Sequence, residues 1–336
     1  MSTKILATIG PSSLNKDAIF KLEKNGVDLF RINLSHTKIE DLKNVIKKIQ
    51  GWSSVPICLD SEGAQIRNQD MQSASVVFKK GEKVTVHRNF IEGDGKNISF
   101  TPSNVYEQLL DGDVIHIDFH SVALKIIKLG EDTHVSEVVS SGSVGSNKAV
   151  SVDRDIKLSP VTEKDVVAFE IGKSMGIENF SLSFTNTAED VRVVRKIIGN
   201  SNLISKIESI KGVLNLTDIL PLVDQILIDR GDLSREVDIA KIPFIQRRII
   251  AHARSKNIPV YVATNLLESM IHCNSPTRAE VNDIASTLLM GADGLVLAAE
   301  TAIGKYPVQT IEMVNAVIRQ FNRWTPESSA IDIISD

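Results

Sequence analysis

The sequence predicts an α/β protein: a (β/α)8 TIM barrel with a small all-β barrel domain inserted after its third strand. Three observations lead there. Eight short apolar runs recur along the chain, each ending in polar or glycine-containing sequence. Segments of helical period lie between them. One long stretch, 68–154, abandons that rhythm for strand and turn signals.

The runs are KILATIG (4–10), DLFRINLS (28–35), PICLDS (56–61), ENFSLSF (178–184), LISKIE (203–208), QILIDRGD (225–232), PVYVATN (259–265) and DGLVLAAET (293–301). They are continuous rather than alternating, as parallel strands buried on both faces must be. Residues 38–49 place Ile39, Leu42, Ile46 and Ile49 on one helical stripe, and 188–198 do the same with Val191, Val194, Ile197 and Ile198. The segments 244–254 and 278–290 behave alike, and Thr277 with Glu280 forms a capping box ahead of the latter. Eight strands alternating with helices indicate the barrel. Within 68–154, KVTVHR, DVIHID, VALKIIKL and HVSEVVS read as strands separated by Gly, Asp and Ser turns. The expected domains are 1–67 with 155–327 for the catalytic barrel, 68–154 for the inserted lid and 328–336 for a tail. An insertion at that point is expected to hang over the barrel mouth where active sites lie.

Of the 336 residues, 24% are charged and 42% hydrophobic, an ordinary globular balance, and the net charge of −4 gives no reason to expect nucleic acid. Cys58 and Cys273 stand far apart, outside any C-x-x-C, which suits a reducing compartment. The N-terminus lacks a secretory pattern and no apolar run is long enough to span a bilayer, so a cytoplasmic protein without membrane partners is expected.

In this fold the polar residues at strand C-ends face the active site. Those ends supply Arg31, Asn33, Ser35 and His36; Asp60 and Ser61 with Arg67 beyond; Lys206 and Glu208; Arg230 and Asp232; Thr264 and Asn265; Glu300 and Thr301. So many charges at one rim are costly unless ligands pair them. Glu208 and Asp232 end adjacent strands and suit Mg2+ or Mn2+, although salt-bridged rim acids would look the same. Lys206 shares a strand face with Glu208 and would stabilise developing negative charge. Arg31 and Arg67 are phosphate clamps or surface ion-pair residues. Asn33, Ser35, Asp60 and Ser61 fit either a monovalent cation or a hydrogen-bond network. The amides of Gly231 and Asp232, and those ahead of the helix at 278, are candidate seats for a carboxylate or phosphate. His36 reads as an acid–base group or, more simply, as a packed histidine.

The motifs ATIGPSS, RINLSH, LDSEGAQIR, ISKIE, DRGDL, ATNLLESM, PTRAEVNDIA and AAETAIGKYP resemble pyruvate kinase, in the right order and each at the right strand end, from residue 7 to about 323. The resemblance implies transfer of a phosphoryl group from phosphoenolpyruvate to ADP, with the inserted domain as a lid. It implies Mg2+ on Glu208 and Asp232, and K+ on Asn33, Ser35, Asp60 and Ser61. Lys206 would steady the phosphoryl group in flight, held also by Arg31 and Arg67. Thr264 would lie by the enolate face that is protonated, and Gly231 and Asp232 would receive the substrate carboxylate. Pro11, His36 and Lys148 would line the nucleotide side.

Several positions depart from the family pattern. LDTKGPEIR reads LDSEGAQIR, so Glu62 replaces a lysine and Gln65 a glutamate that tracks potassium dependence. SGETAKG reads AAETAIG, which puts Ile303 where a lysine faces nucleotide phosphates; an aromatic has become Asp41; ARGDLG reads DRGDLS, with Asp229 and Ser234. Each lost charge-assisted contact would cost about 1.5–3 kcal/mol. The sequence stops where the family's C-terminal regulatory domain begins, so sugar-phosphate regulation there is not expected, while a homo-oligomer stays open. Erosion on the nucleotide side motivates a second expectation, a metal-dependent pyruvate aldolase or lyase that adds the enolate to an aldehyde. An inert binder of 2-oxo acids is a third, opposed by the retained Lys206, Glu208, Asp232 and Thr264.

Overall fold

The computed structural model describes residues 3–118 and 121–334. Its chain forms two compact units, Met1–Gly63 with Pro160–Asp336, and Ala64–Ser159. Residues 335 and 336 of the expected tail, and 1 and 2 at the other end, lie outside the described residues.

The larger unit is a closed barrel of eight parallel strands. They are β1 (Lys4–Thr8), β2 (Leu29–Asn33), β3 (Ile57–Asp60), β4 (Asn179–Leu182), β5 (Asn202–Ile207), β6 (Gln225–Asp229), β7 (Val260–Ala263) and β8 (Gly294–Leu297). Each pairs with its sequence neighbours, and β8 closes on β1. Seven fall inside the apolar runs, and β5 begins one residue before its run, at Asn202. Around them run α1 (Lys16–Lys24), α2 (Ile39–Trp52), α3 (Glu163–Ser174), α4 (Ala188–Ile198), the one-turn α5 (Arg230–Leu233), α6 (Ile242–Ser255), α7 (Arg278–Leu289) and α8 (Pro307–Arg323).

The helices bury the stripes their sequences carry. Leu42, Ile46 and Ile49 of α2 and Val191, Val194 and Ile198 of α4 are fully or almost fully buried against the outer face of the barrel. Each such side chain is worth about 1.5–3 kcal/mol of burial. The caps are built as the sequence proposes: Thr277 and Glu280 form a reciprocal capping box on α7.

Inside the barrel, Leu6, Leu29, Cys58, Ile204, Leu227, Tyr261, Ala263 and Val296 form a separate apolar layer. Gly294 makes room for the Tyr261 ring there, since a Cβ at 294 would lie 2.5 Å from Tyr261 Cδ1. Side chains alternate along a strand, so the next inward positions are two residues on. Those positions include Thr8, Arg31, Asp60, Lys206 and Asp229, and at this step the barrel turns from apolar to charged.

The smaller unit is a closed seven-stranded barrel with a two-stranded sheet, Val76–Phe78 against Gly142–Val144. The four strand-like runs recognised in the sequence all form staves. Its bounds are a few residues wider than 68–154, because Ile66–Asn68 pairs with Ala149–Val152 as part of this barrel. Phe78, Val84, Phe100, Ile115, Leu124 and Val138 fill its core.

Candidate active site

Arg31 of β2 reaches across to β3, donating from Nε to Asp60 Oδ2 at 2.8 Å and from Nη2 to the same oxygen at 2.5 Å. Its Nη1 donates to Thr8 Oγ1 at 3.0 Å. Lys206 of β5 stands among three carboxylates: Glu208 Oε1 at 2.7 Å, Asp60 Oδ2 at 3.5 Å and Asp229 Oδ2 at 4.0 Å. It also donates to Ser183 Oγ at 3.1 Å. Arg31, Asp60, Lys206 and Glu208 are all buried.

These charges set one another's protonation. Burial works against the Lys206 ammonium, but Asp60 and Glu208 outweigh it and hold the pKa above the ordinary lysine value. Burial would raise Asp60, yet Arg31 and Lys206 more than offset that and keep it below the usual carboxylate range. Glu208 goes the other way. Burial, with the charges of Asp232 and Asp229, pushes it up to about 8 despite Lys206.

Glu208, Asp229 and Asp232 converge: one carboxylate oxygen of each lies within 4.8 Å of the others. Glu208 Oε2 accepts from Phe184 N at 2.6 Å, while Oε1 is buried against the Lys206 ammonium at 2.7 Å. Asp232 pairs with Arg235 at 2.7 Å. Asp229 caps α5, its Oδ1 accepting from Gly231 N at 3.2 Å, from Asp232 N at 3.5 Å and from Thr264 Oγ1. Thr264 holds φ of +78°, a conformation costly for a β-branched residue and the kind of strain that collects at functional sites.

The remaining candidates divide between the two units. Asn33 and Asp60 are register partners on β2 and β3. Asn33 Oδ1 accepts from Ser35 N, Ser61 Oγ accepts from Ser183 N, and Asp60 Oδ1 is buried without a hydrogen-bond partner. Pro11 lies in the exposed turn after β1, and His36 ends the 3-10 turn Leu34–His36. Arg67 and Lys148 belong to the smaller unit, where Arg67 donates to Asn147 O and Lys148 pairs with Asp118 at 3.3 Å. Glu62 is tied to Lys164 at 2.7 Å, so a cation offsets the repulsion expected from it, while Ile303 is exposed. Two rim residues brace the fold: Arg230 pairs with Asp283, and buried Glu300 accepts from Leu267 N and Ala298 N.

Asp229 and Ser183 were not among the site residues expected from sequence. Both follow from strand alternation, Asp229 two positions beyond inward-facing Leu227 and Ser183 two beyond buried Ser181.

The barrel-domain model of the pyruvate kinase family matches residues 1–311. Pyruvate kinase of Corynebacterium glutamicum is 32% identical over 327 residues, 94% of this chain and 69% of that one. That of Thermotoga maritima is 35% identical over 335 residues, 95% and 71% of the two chains. That of the archaeon Thermococcus litoralis is 33% identical over 327 residues, 94% and 69%. These likenesses favour the phosphotransferase over the aldolase. Joined to an eight-stranded barrel with an inserted β-barrel, they make this chain a member of the pyruvate kinase family and a pyruvate kinase-like phosphotransferase.

Proposed function

We propose that the polar end of the larger barrel binds phosphoenolpyruvate and passes its phosphoryl group to ADP, giving pyruvate and ATP. The observation that carries this reading is Lys206: a buried ammonium, held charged by carboxylates, beside a convergence of three acids. Such a cation is already oriented before charge develops on the phosphoryl and enolate oxygens, so it needs no reorganisation at the moment of reaction.

The donor set fits a divalent cation. Its oxygens are hard, and the burial and neighbouring acids that push Glu208 up to about 8 are what a bound cation would offset. Glu208 and Asp232 would hold Mg2+ or Mn2+, which when bound supplies Lewis-acid neutralisation of the substrate oxygens. Asn33, Ser35, Asp60 and Ser61 would hold K+, a fit supported by the buried, unpartnered Asp60 Oδ1.

Arg31 keeps two of its five N–H groups beyond the three bonded to Asp60 and Thr8, and these would grip the phosphoryl group. Arg67 would assist. The amides of Gly231 and Asp232 make long contacts to Asp229, for which a substrate carboxylate would compete. Thr264, held by Asp229, would present its hydroxyl to the enolate carbon that takes the proton. Pro11 and His36 would line the nucleotide side. The small-molecule substrates are thus two anions.

Pyruvate formation from phosphoenolpyruvate, Mg2+ and K+ should require ADP. Lys206→Met should lower its rate by about 10²-fold or more while Mn2+ still binds. ADP-independent turnover, or an unimpaired Lys206→Met enzyme, would end this reading.

A further inference from the structure

We propose that Asp229 is a third carboxylate ligand of the divalent cation, so that this enzyme takes up its metal before substrate arrives. The inference rests on the metal site proposed above and adds a residue to it.

The Asp229 carboxylate is divided between two tasks. Its Oδ1 is spent on the turn, accepting from the amides of Gly231 and Asp232 and from the Thr264 hydroxyl. Oδ2 accepts no hydrogen bond among the described residues and lies 4.0 Å from Lys206 Nζ, on the side where Glu208 stands. An N-cap needs only one oxygen, and an asparagine would supply it equally well. The second oxygen brings another negative charge into a place already holding Glu208 and Asp232.

A second observation points to a ligand. Glu208 is 1% exposed, and its Oε1 has the Lys206 ammonium at 2.7 Å while a carboxylate oxygen has capacity for a second partner. The candidate oxygens of Glu208, Asp229 and Asp232 lie within 4.8 Å of one another. That span exceeds two metal–oxygen bonds of about 2.1 Å by a small closure, within reach of side-chain adjustment. Two carboxylates normally leave such an ion to be completed by substrate oxygens, whereas a third raises both charge and denticity and lets the protein retain the ion alone.

The test uses Mn2+ alone, without substrate, titrated into the full chain and followed by the EPR signal of the free ion. Asp229→Asn keeps the cap and removes one ligand oxygen and one charge. It should weaken Mn2+ binding by about tenfold or more, with the melting temperature little changed. Asp229→Ala should weaken Mn2+ equally and also lower the melting temperature. Wild-type Mn2+ affinity in Asp229→Asn would reduce Asp229 to a cap and overturn the inference. Glu208→Gln separates the two claims. Loss of Mn2+ binding there, with Asp229→Asn unaffected, sinks only the role of Asp229. Unchanged binding in both variants sinks the metal site as well.

Discussion

Asp60 is the residue on which the charges of the site meet. It takes two hydrogen bonds from Arg31 and stands 3.5 Å from Lys206, and all three side chains are buried. Removing one partner of a buried ion pair leaves the other charge uncompensated, which costs about 3–5 kcal/mol. Asp60→Asn should therefore lower unfolding stability by about that amount in urea titrations, well beyond the effect of a surface charge. A loss below about 1 kcal/mol would mean that Arg31 and Lys206 find other partners. Single residues of this site were legible because each ends an apolar run. Their pairing was not, since Arg31 meets Asp60 across strands 29 positions apart. Asp229 was hidden for a related reason. Inside QILIDRGD it reads as part of a loop motif, and only the strand register turns it inward beside Lys206.

The elements read from the sequence are those with a plainly apolar run or a clear cap. The eight strands announce themselves as unbroken runs, and α7 does so through its cap. Within that cap Glu280 accepts from Ser269 N and Oγ and from Thr277 N and Oγ1. Helix α3 was not recognised, because the face it buries is Asp165, Ala168, Phe169 and Gly172, in which an acid and a glycine interrupt the stripe. Gly172 is small for a reason: a Cβ there would lie 2.5 Å from Leu59 Cδ1. The cap on α7 carries a pH prediction. Partial burial would raise Glu280, but the hydrogen bonds from Ser269 and Thr277 outweigh it and lower its pKa from 4.5. A carboxyl lowered on folding adds stability above its unfolded pKa and loses it as pH falls through the folded value. Wild type should thus exceed Glu280→Gln by about 1 kcal/mol at neutral pH. Urea melts should show that margin shrinking once the pH drops below 4.5. A margin that stays constant into acid would mean the carboxylate charge plays no part.

At the scale of the whole molecule, the two units differ in how they close. The larger barrel is assembled from both ends of the chain, with β8 pairing to β1 and Thr301 donating to Thr8 O. Its closure therefore depends on contacts nearly three hundred residues apart, and no part of it is complete alone. The smaller barrel is closed by neighbours within one continuous stretch. Its first strand, Ile66–Asn68, pairs with its last, Ala149–Val152, so the two ends of 64–159 are stitched together by the fold itself. Its core of Phe78, Val84, Phe100, Ile115, Leu124, Ile126 and Val138 is drawn wholly from within that stretch. On the order of 100 residues is enough for such a core to offset chain entropy without a metal or disulfide. Residues 64–159 produced alone should accordingly give a β-rich circular dichroism spectrum and a single cooperative urea transition. A fragment lacking dispersed amide resonances, or melting without cooperativity, would show that this core depends on the larger barrel. In that case the insertion would be folding as an extension of its host rather than as a barrel in its own right.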